Sequence, residues 1–233
     1  MVKSRLDQYK GRLSPELIAE GMNAASGNAA RLVEDADLLL GRERFPSAAS
    51  LAILAIEEAG KIPIMRMMSV VQDDPKALKE CWRNYRPHTK KNVSWQLPQL
   101  VTEGAPRLED FYPLFDEDAD HPFSIDHVKQ IGFYTDCLGN ANWSSPPDAI
   151  DKDLADTLVQ IARLLVNSPE TTSMEIELWI KHMKPHLVSG MVVDYEGTKQ
   201  ALRDWFADMQ EHGLSDLRSG SIEAFLSDPH GDG

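Results

Sequence analysis

Cysteine is nearly absent from this chain. Cys81 and Cys137 stand alone in 233 residues, without C-x-x-C spacing. That argues against a disulfide scaffold and suits a reducing compartment, so a cytoplasmic location is expected. Long apolar runs are missing too. No segment reaches the ~20 residues a membrane span needs, and no apolar stretch follows the first basic residues. Neither a membrane span nor a secretory leader is expected. Alternating β-branched residues are scarce and helix formers dominate, which points to an all-α fold. No Gly-rich phosphate loop and no internal repeat are visible. Positive charge is also short, with 24 Lys and Arg against 37 Asp and Glu and a net charge of −13.

The negative charge is concentrated. Glu103–Asp126 carries eight acids against Arg107, and Asp204–Gly233 carries seven against Arg218, so the remainder is neutral overall. Binding to duplex DNA rests on phosphate neutralisation, and this balance argues against it while leaving room for one local basic site. A hydrophobic content of 42% with 26% charged residues is that of a soluble globular protein. The length suits one large domain or a domain with an extension.

The chain is organised around Pro46–Met68. From Ala48 to Ile56 only Ser50 is polar, so this helix is apolar on all sides and should be buried in a core. Glu57, Glu58 and Lys61 follow at once. They read either as an i,i+4 pair between Glu57 and Lys61 or as a polar cluster flooring a site. Pro63 should kink the helix just past Lys61. Before it, Ser14 and Pro15 start a first helix as N-cap and first helical residue. Ala25, Ala29, Leu32, Ala36 and Leu39 form its apolar stripe, and Gly41–Phe45 turns it back as an antiparallel hairpin. Arg31 and Asp35 would run beside helix two as partners for its charges.

A third helix starts at Asp74 and Pro75, passes through Leu78, Cys81, Trp82 and Tyr85, and stops at Pro87. One short helix is expected between Lys91 and Pro106. The acidic stretch Glu103–Asp126, with Phe111, Tyr112 and Phe115, should pack on the body. Helices should resume at Asp126–Leu138, Pro147–Asn167, Pro169–Lys184 and Gly197–His212. Met1–Leu13 is expected to be loosely held, and Arg218–Gly233 to be a frayed acidic tail.

Asn28 and Ala29, Leu32, Asp35 and Ala36, then Ala52-Ile53-Leu54-Ala55-Ile56-Glu57-Glu58 with Gly60 and Lys61, carry a resemblance to the AbiV family of bacterial abortive-infection proteins. It continues through Arg83–Lys91 and through Gly132, Phe133, Tyr134, Thr135 and Asp136, over the first two-thirds of the chain. The resemblance implies a HEPN-like helical core made of helices one to three and the helix near residue 130. With its C-terminal helices this gives a single all-α domain of about seven helices over residues 1–217. Its core motifs fall within 14–140 and a helical extension within 147–212.

The resemblance also implies an antiphage role by abortive infection. Arg83, Asn84 and His88 match the HEPN nuclease pattern of Arg, a polar residue, then His after four intervening positions. The chemistry fits RNA cleavage without a metal or other cofactor. Arg stays protonated and can hold a phosphate bidentately, while His can move a proton to or from a ribose hydroxyl. Lys79, Arg83, Arg86, Lys90 and Lys91 make this the most basic window of the chain. Arg86, Lys90 and Lys91 would hold phosphates. Asp35, Glu57, Glu58, Lys61, Tyr134 and Asp136 would form a supporting polar cluster. HEPN enzymes typically build their site across a dimer, so a homodimer is expected, with the small-residue face of helix one around Ala29 as its seam. The alternative is a non-catalytic helical module whose acidic surfaces block a phage or host protein, for example of the translation machinery. His182 with His186 and His121 with His127 are histidine pairs with metal-like spacing, and both read more simply as surface histidines.

Overall fold

The computed structural model describes residues 8–92, 121–166, 169–188, 191–192, 194–215 and 226. Helix α1 (Pro15–Leu40) is the spine of the molecule, about 39 Å long at 1.5 Å per residue. Ser14 caps it as expected, its hydroxyl accepting from the Leu17 amide. The hairpin at Gly41–Arg44, with Glu43 at a φ of 57°, returns the chain into α2 (Phe45–Ala59). The apolar composition of α2 has the predicted consequence. Ile53 and Ile56 are fully buried, each stabilising the fold by about 1.5–3 kcal/mol relative to an exposed side chain.

The break after α2 falls at Gly60, one residue before Lys61 rather than just past it. Helix α3 (Lys61–Val70) carries Pro63 in its first turn, where the missing amide costs no hydrogen bond. Asp74 caps α4 (Pro75–Asn84), accepting from the Lys76 and Ala77 amides. Pro87 precedes the single turn α5 (His88–Lys91). Helix α6 (His121–Phe133) begins and ends about a turn earlier than expected. The chain leaves it for a small hairpin of β1 (Cys137–Leu138) and β2 (Asn142–Trp143), turned by Gly139 and Ala141 at positive φ. Then come α7 (Pro146–Ala149), α8 (Lys152–Val166), α9 (Ser173–Met183), a 3-10 turn at Lys184–His186, the two-residue strands β3 (Leu187–Val188) and β4 (Met191–Val192), and α10 (Tyr195–Glu211). The fold is all-α, with two minimal hairpins among the described residues. No helix among the described residues is long and apolar enough to cross a membrane.

Two apolar clusters share α1. Its C-terminal half packs with α2, α6, Ile150 and α8, while its N-terminal half packs with α3, α4, α9 and α10. Ala25 and Ala29 are spent on this packing, so the face around Ala29, expected as a seam between copies, is closed inside the chain. Residues 8–13 are not loose. Trp82 donates to the Gly11 carbonyl at 3.0 Å, and the Leu13 amide donates to Gln72 Oε1 at 3.0 Å. Residues 93–120, which hold most of the short helix expected between Lys91 and Pro106 and most of the acidic stretch Glu103–Asp126, lie outside the described residues, as does most of the C-terminal tail, although Leu226 is buried.

Candidate functional site

The apolar run of α2 delivers Glu57 into the interior, 2% exposed. Its Oε1 accepts from Lys129 Nζ at 2.5 Å and its Oε2 lies 2.6 Å from His88 Nδ1. Lys129 is itself buried and reaches Asp126 Oδ1 at 2.7 Å. A buried carboxylate is tolerated because both oxygens meet cationic or hydrogen-bonding groups. The His88 side chain is 53% exposed, so one edge of its ring is fixed by Glu57 while the other faces outward. This carboxylate–histidine arrangement sets the ring orientation and leaves Nε2 as the outward nitrogen.

Two glycines make the assembly possible. A Cβ on Gly60 would lie 1.8 Å from the Lys91 carbonyl oxygen, so only glycine lets α5 sit against the end of α2. A Cβ on Gly132 would lie 2.4 Å from Ser50 Oγ, so Gly132 brings α6, and with it Lys129, against α2. These positions are the Gly of Glu57-Glu58-x-Gly60-Lys61 and the Gly of the Gly132-Phe133-Tyr134 stretch. Their shared role is close approach.

The basic residues near His88 in the chain take different places. Lys91 is 7% exposed, and burial pulls its ammonium below the usual lysine range, with Glu57 pulling the other way. Lys61 pairs with Glu58 at 2.6 Å and lies 5.6 Å from the centre of the Tyr85 ring. Arg86 donates to the Trp82 and Tyr9 carbonyls. Arg83 projects outward from α4, 74% exposed, and pairs with Glu80. It lines a cleft of about 420 Å³ with Lys10, Lys76, Lys79, Glu80, Trp82 and Arg86.

The residues singled out from the sequence thus separate into groups. Glu57 and His88 are brought into direct contact, with Lys91 close by. Arg83 and His88 are not paired: their partners among the described residues are Glu80 and Glu57. Asn84 is half-buried at the end of α4, and Lys90 is exposed. The i,i+4 pair between Glu57 and Lys61 does not form, because Glu57 turns inward and Lys61 takes Glu58, three residues back. Asp35 pairs with Arg31 on the surface of α1 at 2.9 Å, and neither reaches the charges of α2. Tyr134 is exposed, and Asp136 caps the start of the β1–β2 hairpin through the Cys137 amide, so neither joins the cluster.

Lys129 and Asp126 were missed. The available signal was spacing: Ile125, Lys129 and Gly132 fall at i, i+4 and i+7, placing a lysine on the buried stripe of α6, where it needs an acid.

Glu57, His88 and Asp126 offer ligand atoms within 4.8 Å of one another, the donor set of a divalent cation site. Lys129 Nζ already sits on both carboxylates, so a metal would have to displace an ammonium that already supplies positive charge there. The C-terminal histidines are not a pair. His182 Nε2 meets Asp208 Oδ2 at 2.7 Å, while His186 Nδ1 meets Asp194 Oδ2 at 3.2 Å. His127 is exposed, and the side chain of His121 lies outside the described residues.

The described residues form an all-α bundle with a polar site where the second helix ends against a basic turn, and the family model that matches the chain is of the HEPN class. The family model described as AbiV matches residues 17–167, more than half of the chain, and the chain belongs to the AbiV family. No curated protein and no solved structure matches it.

Proposed function

We propose that this chain is a cytoplasmic antiphage protein acting by abortive infection, and that its chemistry is metal-independent RNA cleavage centred on His88. The family supports the defence role. The observation that carries the chemistry is the 2.6 Å contact between buried Glu57 and half-exposed His88, within the most basic stretch of an acidic sequence. His88 moves a proton to or from a ribose hydroxyl through Nε2. Glu57 positions the ring, and Lys129 with Asp126 holds Glu57. Arg86 and Lys90 hold phosphates. Asn84 orients the strand. Arg83 of a second copy, leaving Glu80, reaches the reacting phosphate, so a homodimer is the active form in this reading.

Purified protein incubated with total RNA in EDTA should cleave it, and His88→Ala should lose about 10²–10⁴-fold in rate. Equal cleavage by the variant would overturn the assignment. A second reading draws on the engagement of Arg83 by Glu80, away from His88: a non-catalytic module that blocks a phage or host protein. In infected cells that reading requires His88→Ala and Arg83→Lys to protect as well as the wild type.

A further inference from the structure

A second cavity shares Trp82 and Arg86 with the Arg83 cleft. It has a volume of about 440 Å³, within the range of small-ligand sites, and is lined by Gln8, Tyr9, Lys61, Trp82, Tyr85, Arg86 and Lys91. Lys91 stands out here. More than nine-tenths of it is buried, it lines the cavity, and no hydrogen bond or ion pair joins its ammonium to a described residue. Burial disfavours its charged form, and the acids that offset this, Glu57 and Glu58, act on it through space without a hydrogen bond to it.

The charge balance says what would pair it. Lys61 is offset by Glu58 at 2.6 Å. Glu57 is engaged by Lys129 and His88. Lys129 is shared between Glu57 and Asp126, and Arg86 meets only carbonyl oxygens among the described residues, so Arg86 and Lys91 are the lining cations without an ion pair to a described residue. A phosphate monoester carries close to two negative charges at pH 7. The remaining walls are aromatic: Tyr9, Trp82 and Tyr85 form a chain of edge-to-face rings with centroids 6.2 and 5.7 Å apart. Aromatic side chains beside cations are the combination that holds nucleobases together with their phosphates.

We infer that this cavity is a binding site for a nucleoside monophosphate, its phosphate on Lys91 and Arg86 and its base against Tyr9, Trp82 and Tyr85. The ligand is either a free nucleotide or the phosphorylated end of an RNA strand. The site does not depend on cleavage at His88. Lys91 does sit on the same turn as His88, and its carbonyl packs on Gly60, so an occupant would bear on the turn that carries the histidine.

The test is calorimetric titration of the full chain carrying His88→Ala, which keeps RNA intact. Adenosine 5′-monophosphate, adenosine, inorganic phosphate, and a short RNA with a 5′-phosphate or a 5′-hydroxyl are the probes. The monophosphate should bind at least about tenfold tighter than adenosine, and Lys91→Met should weaken it by at least about tenfold. Arg86→Gln should weaken it similarly. Lys91→Met should keep a cooperative melt, since it breaks no hydrogen bond or ion pair to a described residue, which keeps a loss of binding distinct from unfolding. Binding of the 5′-phosphorylated RNA but not of the free nucleotide assigns the site to strand ends, and binding of both assigns it to the nucleotide unit. Absence of binding by both at millimolar concentration, or unchanged affinity in Lys91→Met, overturns the inference. Either result leaves the cleavage assay on the wild type to be read by itself.

Discussion

Lys129→Met should destabilise this protein far more than Lys61→Met, although Lys61 is the lysine adjacent to the acids in sequence. The substitution keeps an unbranched stem of similar reach on the buried face of α6 but removes the ammonium that bridges Glu57 and Asp126 at 2.5 and 2.7 Å. Glu57 is 3% exposed at its side chain, so water cannot replace the lost partner, and His88 is the contact that remains. Leaving one member of a buried pair uncompensated costs about 3–5 kcal/mol. At about 2–4 °C per kcal/mol for a chain of this size, the melting temperature should fall by roughly 6–20 °C. Lys61 and Glu58 are each nearly one-fifth exposed and sit on adjacent turns, so Lys61→Met should cost about 1 kcal/mol. Scanning calorimetry on both variants measures the difference. A double variant, Glu57→Gln with Lys129→Met, should recover part of the loss because it removes the stranded charge. A Lys129→Met melt within about 2 °C of wild type would refute the view that this lysine neutralises the buried acids.

Gly60→Ala should lower stability by about 1–3 kcal/mol and impair whatever His88 does, since its Cβ would overlap the Lys91 carbonyl and push α5 off Glu57. Thermal melts together with the histidine ring signals in NMR report both effects, and unchanged His88 signals would count against the close-approach argument. Asp208 accepts from Lys181 and then His182, which hold its carboxyl down to about 2. A folded-state value below the unfolded one means its contribution is present above ~4 and is lost as pH falls toward 2. Wild type and Asp208→Asn should therefore differ in melting temperature at pH 6 and converge near pH 2. Burial raises the Cys81 thiol to about 11, whereas Cys137 is exposed. Iodoacetamide at pH 8 should label Cys137 alone in the folded chain and both cysteines in urea, as read by mass spectrometry.

Local signals were reliable where local physics decides. Ser14 and Asp74 cap their helices because a short side-chain oxygen can satisfy the first free amides whatever the rest of the chain does. The buried course of α2 followed from a run with no polar face to offer water. Boundaries moved where a neighbour intervened. The break after α2 sits at Gly60 because another turn's carbonyl must approach there, and α6 stops at Phe133 because a hairpin turned by Gly139 and Ala141 takes over. The pairing of Arg83 with His88 was a motif expectation. Pro87 turns the chain between them, and Arg83 finds Glu80 on its own helix.

The sequence alone therefore determined the helices, the burial of α2, and the fact that an acid at its end would need a partner. It could not name that partner. Glu57 and Lys129 are 72 positions apart, and Glu57 and His88 are 31 apart. Which of the chain's 24 lysines and arginines neutralises Glu57 depends on how closely α5 and α6 dock on α2. That distance is set by two absent side chains, at Gly60 and Gly132, whose effect exists only once the helices are packed. Helical periodicity places a residue on a face of its own helix. The charge it meets across the interface is a property of the packing, and tertiary structure alone decided it.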